Sequence, residues 1–225
     1  MAEAILRVEE VRIHSMEGPD ASHILNWGLL QGDKIRIQAE SGGSVSEVLR
    51  LAAGIDHPRE GQVILGGTPI GPFDLEHPFL KRGALAWIPP TGGLLVNLDL
   101  LANVALPLRF VRGMGRKAAE ACALAALEEA GLGPQVHQRP HALELRERWL
   151  AALVRAQVRR PELWLVDKPA SELDRRTRKN ARRILDQIAQ EAETTLVVVG
   201  EGGWIPESLE PLKLENGLLV PEVFP

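Results

Sequence analysis

The pattern of apolar and polar positions predicts short strands in the first third of the chain. Apolar residues alternate or cluster in strand-length runs at 5–11, 34–38 and 62–65. Residues 85–88 form a further apolar run that is typical of a buried strand and ends at a Pro-Pro pair. Residues 44–53 instead place their apolar side chains at helical spacing. This third is therefore predicted to be mostly sheet with one helix.

The middle third is predicted to be helical. Residues 117–130 and 144–158 are rich in Ala, Leu, Arg and Glu and contain neither Pro nor Gly. In the last third, a charged helix at 174–192 lies between strand-like runs at 163–166 and 194–199, and an Asn-Gly pair then predicts a hairpin. Strand and helix alternation at both ends, with helices between, predicts an α/β sheet that carries a helical insertion.

Composition and charge narrow the class of protein. At about 150 residues per domain, a chain of 225 residues is expected to form one domain with an insertion. Hydrophobic residues (45%) and charged residues (25%) are typical of a globular protein. No apolar run reaches the length of a membrane span, and acidic residues near the start are unlike a signal peptide, so we expect a cytoplasmic protein. The net charge of −4 disfavours a nucleic-acid partner.

Cysteine and histidine usage argues against a metal centre. The single cysteine, Cys122, excludes an internal disulfide and a cysteine cage, and its Ala-rich surroundings predict a buried helical thiol. His137 and His141 alone approach ligand spacing, but Pro140 lies between them and disfavours a helical ligand pair. No metal site is therefore expected from these residues.

Four segments, in this order, resemble the nucleotide-binding subunit of ABC transporters over almost the whole chain. Residues 39–54 match that family's phosphate loop with its helix, and residues 103–108 match the segment after its glutamine loop. Residues 155–167 match the helix leading into its magnesium-binding strand, and residues 171–174 match the loop beyond that strand. The resemblance implies a P-loop NTPase-like (ABC ATPase) α/β core with an N-terminal antiparallel β subdomain and an inserted helical subdomain. We expect the core at 1–88 and 159–225 and the helical subdomain at 89–158.

The phosphate loop departs from the family pattern. In this family the loop is GxxxxGK[ST], with glycines for tight turns and a lysine that reaches the phosphates. Here Ala39 and Ser44 stand at the glycine positions and Val45 at the lysine, while Glu40 and Glu47 flank the phosphate position. Like charges ~4 Å apart repel by roughly 4 kcal/mol at an effective dielectric near 20. The sequence therefore predicts a degenerate cradle that does not hold a triphosphate.

Residues Ser44 and Glu47 also have the spacing of a capping box. In this hypothesis Ser44 accepts the Glu47 amide and Glu47 bonds back to Ser44. The positive end of the helix, which family members offer to phosphate, would then be satisfied by the protein's own acid. The loop is expected to be closed and self-capped.

The remaining nucleotide motifs of the family are also replaced. Alignment places Pro90 at the glutamine that contacts magnesium and water, and places Glu144, Leu145 and Arg146 in the signature that holds the γ-phosphate of the opposite subunit. Lys168 stands at the catalytic glutamate and Glu201 at the switch histidine, so no catalytic residue is expected. Losing a positioned base costs about 10²–10⁴-fold in rate. The chain has no tyrosine and no aromatic residue between positions 6 and 26 to stack an adenine.

Two positions do match the family's magnesium ligands, Ser46 and Asp167. A residual metal site is one interpretation, and a structural pair without metal is the favoured one, because two oxygens without phosphates hold magnesium poorly. Lys168 and Glu201 have family counterparts that lie close together, so we predict a salt bridge between them, with an apolar or water-filled gap as the alternative.

The resemblance implies two functions from different classes. The first is a catalytically inactive subunit that acts as scaffold or regulator of a membrane transport complex, with no cofactor. It would pair with a transmembrane transporter subunit, whose coupling helix its helical part receives, and with a second ABC ATPase subunit in a homo- or heterodimer. It would lie on the cytoplasmic face of the membrane. The alternative is a divergent subunit that binds and hydrolyses ATP with magnesium through Ser46 and Asp167.

Overall fold

Two sheets organise the chain. The computed structural model describes residues 4–14, 22–38, 44–56, 58–71, 74, 76–215 and 218–221. The first sheet is antiparallel and consists of β1 (Ala4–His14), β2 (Ser22–Leu30), β4 (Gln62–Leu65) and β5 (Thr68–Pro69), in the spatial order β2-β1-β4-β5. A bulge interrupts the pairing of β1 with β2 between Val8 and Val11, where Glu10 has a φ of 52°.

The second sheet is parallel except at one edge. Its strands are β3 (Lys34–Gln38), β6 (Leu85–Ile88), β7 (Leu163–Val166), β8 (Thr195–Val199), β9 (Glu210–Glu215) and β10 (Leu218–Pro221). They lie in the order β10-β9-β3-β8-β7-β6, and only β10 runs antiparallel to its neighbour. Within the described residues, the second sheet therefore ends at β6, and no strand pairs with its outer edge.

Helices cover the second sheet and build the middle of the chain. They are α1 (Ser44–Ala52), α2 (Pro78–Lys81), α3 (Leu100–Phe110), α4 (Arg116–Glu129), α5 (Leu145–Arg159) and α6 (Arg175–Ala189), with short 3₁₀ turns at Gly133–Gln135 and Pro140–Ala142. Helices α3, α4 and α5 pack against one another. Among the described residues, no helix combines the length and apolar character needed to cross a bilayer.

The central strands β7 and β8 are buried on both faces. The residues that follow their carboxyl ends therefore begin inside the molecule. On β7, Trp164 and Val166 pack into the core formed with the helices, whereas Leu163 and Leu165 pack into a second core shared with α1 and the antiparallel sheet. Continuous apolar runs of this kind are typical of parallel strands with both faces covered. The residue that follows β7, Asp167, therefore lies between two cores.

The predicted fold class is confirmed: an α/β protein with an N-terminal antiparallel sheet and a separate, mostly parallel sheet. The sequence reasoning missed β2, whose polar and glycine residues hide its alternation, and α3, whose interior contains Pro107. The predicted subdomain boundaries stay predictions.

The expectation of a buried Cys122 is wrong, because its thiol is exposed. Helix α4 buries Ala119, Ala123 and Leu127, which follow one another at intervals of one turn. Cys122 lies on another side of the same helix. Alanine occurs on both the buried and the exposed faces of this helix, so an Ala-rich sequence does not show which face is buried.

Candidate functional site

The carboxyl end of β7 is held by main-chain and side-chain hydrogen bonds. The N–H of Asp167 donates to the carbonyl of Ile88 on β6 (2.9 Å), and the carbonyl of Asp167 accepts from the indole nitrogen of Trp149 on α5 (3.1 Å). The Asp167 carboxylate accepts the main-chain N–H of Lys168 (2.9 Å), and the residue is only 2% exposed. Strand, helix and neighbouring strand together fix this carboxylate.

The structure brings Ser46 and Asp167 together. The Ser46 side chain, in the first turn of α1, hydrogen-bonds the Asp167 carboxylate. Burial raises the pKa of Asp167, although Ser46, the Lys168 amide and the charges of Lys168 and Arg50 act in the opposite direction. The two predicted magnesium-ligand positions thus offer adjacent oxygens. Among the described residues, no cluster of three or more His, Cys, Asp or Glu side chains surrounds them.

Most of the predicted phosphate loop lies outside the described residues. These include Ala39 and Glu40, and the side chain of Ser44 is likewise not described, so the Ser44–Glu47 capping box stays a prediction. Helix α1 does begin at Ser44, with Glu47 in its first turn. Val45, which is predicted to stand at the family's lysine position, is 6% exposed and packs in the core with Val48 and Leu49. Its side chain therefore belongs to the packing of α1.

A reciprocal capping box is present at the other predicted nucleotide face. Glu144 is the N-cap of α5: its side chain accepts the Glu147 amide, and the Glu147 carboxylate accepts the Glu144 N–H (3.0 Å). Arg146 forms ion pairs with Glu144 and with Asp174 Oδ2 (3.2 Å), and Leu145 is exposed. The amides and positive dipole of this helix end are thus satisfied by the chain's own acids.

The sequence reasoning missed this capping box although its signal was local. Glu144 and Glu147 stand three residues apart just before an apolar helical run, which is capping-box spacing with glutamate in place of serine. Comparison with the family signature showed that its serine and glycines are missing here, but it did not show that Glu144 and Glu147 form a capping box.

The loop containing Pro90 packs between β7 and α5. The Pro90 carbonyl accepts the N–H of Ala170, beyond the end of β7 (2.9 Å). Gly92 has a φ of 86°, and a Cβ at this position would lie 2.6 Å from the carbonyl oxygen of Arg148. The predicted glutamine-loop position is therefore a structural loop in tight contact with the start of α5.

Lys168 and Glu201 line one cleft but do not form the predicted salt bridge. The cleft has a volume of about 480 Å³ and is also lined by Arg178 and Trp204. Both side chains are described and exposed, and no ion pair within 4 Å joins them. Exposed ion pairs contribute little free energy, since both charges are already hydrated. The predicted salt bridge is therefore wrong, and a cleft lies between the two side chains instead.

A second feature that sequence reasoning did not identify is a groove of about 460 Å³ between β6, α3 and α5. Arg155 and Arg159 of α5 line it. Burial lowers the pKa of Arg155, and burial together with the charge of Arg155 lowers the pKa of Arg159 to about 10. The available signal was two arginines one helical turn apart in the mostly apolar stretch that forms the second half of α5.

Known proteins resemble the chain in both sequence and structure. No family model matches it. The lipoprotein-releasing system ATP-binding protein LolD of Hydrogenovibrio crunogenus is 34% identical over 176 residues, covering 78% of this chain and 76% of that protein. LolD of Bordetella pertussis is 32% identical over 211 residues, covering 92% and 91%.

Solved structures share the fold. Two dimeric structures of the ATP-binding cassette MJ0796, one of them bound to ADP and Pi, match with a TM-score of 0.79 at 24% identity, over 94% of this chain and 95% of that one. CbiO1 from Clostridium perfringens matches with a TM-score of 0.69 at 17% identity. Sequence similarity to the LolD proteins along most of its length, together with this fold, shows that the chain belongs to the family of ABC transporter ATP-binding subunits.

Proposed function

We propose that the chain is a catalytically inactive ABC transporter subunit that acts through protein contacts. The observation that carries this proposal is the capping box of Glu144 and Glu147 at the start of α5. In the family, the corresponding helix end faces the γ-phosphate bound on the opposite subunit. Here two carboxylates occupy that end, and a phosphate ~4 Å away would be repelled by roughly 4 kcal/mol per unit charge at an effective dielectric near 20.

The residue after Asp167 supports the same proposal. Lys168 is exposed on the cleft at the position of the family's catalytic glutamate. An ammonium group has no lone pair to accept the proton of an attacking water, so it cannot replace a general base. Ser46 and Asp167 fit the two protein oxygens that a magnesium ion takes beside bound phosphates. The α5 terminus does not fit a γ-phosphate, so no hydrolytic step is assigned to this chain.

A second candidate is a divergent subunit that binds and hydrolyses ATP. The adjacency of Ser46 and Asp167 favours it, because these are the family's magnesium-ligand positions. The names of the relatives, all ATP-binding proteins, also favour it over an inactive subunit. Magnesium and ATP would be the cofactors of that candidate.

The proposal includes two protein partners at the cytoplasmic face of a membrane. A transmembrane transporter subunit would dock against the helical part of the chain, and the groove between β6, α3 and α5 is the concave apolar surface available there. A second ATP-binding subunit, identical or different, would pair with the chain as in the dimeric MJ0796 structures. With Glu144 and Glu147 on the pairing face, contacts between side chains rather than shared nucleotide would stabilise this dimer.

Calorimetric titration with ATP and magnesium, combined with a phosphate-release assay, tests the proposal. We expect binding weaker than a Kd of about 1 mM and no phosphate release above a protein-free blank. Asp167→Asn and the matched Asp186→Asn variant serve as controls. Magnesium-dependent binding at micromolar ATP that Asp167→Asn abolishes and Asp186→Asn retains would establish the second candidate instead.

A further inference from the structure

Strand β2 forms a long, uncharged edge of the antiparallel sheet. It spans nine residues, Ser22–Leu30, and stands at the end of the strand order β2-β1-β4-β5. Within the described residues, β1 is the one strand that pairs with β2, and β10 of the second sheet contacts β2 without pairing with it. The main-chain N–H and C=O groups along the outer edge of β2 are therefore a template for a further strand.

The other sheet edges carry features that block the addition of a strand, whereas β2 carries none of them. β5 is two residues long and ends at Pro69, and β10 is four residues long and ends at Pro221. β6 is also only four residues long. β2 contains no proline and no Lys, Arg, Asp or Glu. Short length, proline and charge are the usual protections of a sheet edge, so the longest edge strand described is the unprotected one.

The side chains of β2 alternate between the core and the outside of the molecule. Leu25 and Leu29 are buried in the second core, whereas Ile24 and Leu30 are 48% and 45% exposed. By the rise of an extended strand, Ile24 and Leu30 stand roughly 20 Å apart, so they do not cover each other. Two large apolar side chains are therefore exposed at opposite ends of one strand.

The sequence of β2 is self-complementary in one antiparallel register. When two copies pair about a two-fold axis at Trp27, Ile24 of one copy lies opposite Leu30 of the other, and Leu25 lies opposite Leu29. Each pair then joins residues of the same face, with Cβ atoms about 4.5–5.5 Å apart. A shift of one residue would set Leu25 opposite Leu30, a buried side chain against an exposed one, which the pleat does not allow. This register covers both exposed side chains at once, which favours a second copy over an unrelated strand.

We infer that the chain pairs with a second copy of itself along β2 and joins the two antiparallel sheets into one. The contacts are the main-chain ladder between the two strands and two symmetry-related pairs of Ile24 with Leu30. Such an interface is isologous and closes at two copies. A single strand edge buries less area than a standard interface, so the dimer is expected to dissociate with a Kd on the order of 10 µM. The inference does not depend on the proposed function, because the predicted nucleotide positions lie on other elements.

Disulfide crosslinking tests the register. Two variants, Ile24→Cys and Leu30→Cys, are made in a chain whose exposed native cysteine is removed by Cys122→Ser. In the inferred dimer the two introduced thiols lie on residues with Cα atoms about 4.5–5.5 Å apart, within the reach of a disulfide. Equal positions on the two copies are roughly 20 Å apart, which is too far. We expect mild oxidation to link the mixture of the two variants and neither variant alone.

A charge on the edge tests the interface in solution. Ile24→Lys should weaken the dimer at least about tenfold by sedimentation equilibrium, because a lysine on an edge strand blocks pairing. Leu124→Lys is the matched control at an exposed leucine of α4, and it should dimerise like the unmodified chain. Mixing Ile24→Lys with Leu30→Glu should restore a dimer, since the two opposite charges then face each other across the strands.

Three results would overturn the inference. The first is a chain that stays monomeric up to about 100 µM. The second is a dimer that Ile24→Lys forms as readily as the unmodified chain, since it would use another surface. The third is a disulfide in either cysteine variant alone, which would mean another register. Thermal unfolding checks the fold of each variant, and the crosslink of the mixture decides the inference if Ile24→Lys unfolds. The ATP titration is independent of these results, so the inference and the proposed function can fail separately.

Discussion

The indole nitrogen of Trp149 donates a hydrogen bond to the main-chain carbonyl of Asp167 at 3.1 Å, and both residues are buried. This bond joins α5 to the carboxyl end of β7. Trp149 also packs edge-on against Trp204, with ring centroids 5.1 Å apart, and Trp204 donates to the carbonyl of Glu201. The two indoles therefore connect α5 to both sides of the cleft that contains Lys168 and Glu201.

Replacing Trp149 is expected to destabilise the fold. Trp149→Phe leaves the buried Asp167 carbonyl without its donor, which costs about 1–3 kcal/mol, plus a smaller packing loss. Urea denaturation measures the change in the free energy of unfolding. Trp27→Phe is the matched control, because the buried indole nitrogen of Trp27 has no hydrogen-bond partner among the described residues. Equal losses in the two variants would contradict a role for the Trp149–Asp167 bond.

The capping box at α5 predicts a coupled loss of stability. Glu144→Ala and Glu147→Ala each remove one of two reciprocal hydrogen bonds and are expected to cost about 0.5–2 kcal/mol. Because the two bonds support each other, the double variant should lose less than the sum of the single variants. Denaturation of all three variants measures this coupling. Glu172→Ala, at an exposed position, should be nearly neutral, and strict additivity would exclude a reciprocal box.

The pH dependence of stability is expected to differ between two aspartates. Burial raises the pKa of Asp167, so its ionisation costs stability as pH rises from the usual aspartate pKa of about 3.9 through the raised value. Asp167→Asn should therefore gain stability relative to the unmodified chain over that range and keep the gain at neutral pH. Thermal unfolding between acidic and neutral pH measures it.

Asp174 provides the opposite case. Its carboxylate accepts the Thr177 amide (2.7 Å), and this bond lowers the pKa of Asp174. Asp174→Asn should lose stability at neutral pH, and the loss should disappear as pH falls through the lowered pKa. The same trend with pH in both variants would contradict the assigned causes.

Gly92 is expected to tolerate no side chain. Gly92→Ala combines a left-handed φ with a Cβ 2.6 Å from the carbonyl oxygen of Arg148, a main-chain atom of α5. The loss should exceed about 2 kcal/mol. Gly113→Ala, at a φ of 66° with no atom of the described part of the chain within 4 Å of its Cβ, should show only the conformational cost of about 1–2 kcal/mol. Urea midpoints compare the two, and equal losses would mean that the loop moves to relieve the contact.

Local patterns predicted most of the elements but not all. The runs at 34–38, 62–65 and 85–88 coincide with β3, β4 and β6, because their apolar spacing is decided within the strand itself. Helix α3 escaped prediction because Pro107 is a local signal against a helix, yet the segment is helical where its apolar face packs against α4 and α5. The burial of Cys122 was also predicted wrongly, because contacts with residues far along the chain decide which face of α4 is buried.

The candidate site, like the fold, was predicted from the sequence only in part. The resemblance predicts that Lys168, Glu201, Glu144 and Pro90 stand at the family's nucleotide positions, and these assignments stay predictions. The expected ion pair of Lys168 with Glu201 does not form. The contact of Ser46 with Asp167 depends on α1 meeting the end of β7. The groove with Arg155 and Arg159 exists only because α3 and β6 lie beside α5.

By itself the sequence determined the strand and helix periodicity, since this is a property of a few neighbouring residues, and it predicted which residues stand at the family's motif positions. Only the tertiary structure decided which charges are paired, buried or left without a partner. Those states depend on the distance and desolvation of groups from distant segments, and the free energy of a charge changes by several kcal/mol between water and a packed interior.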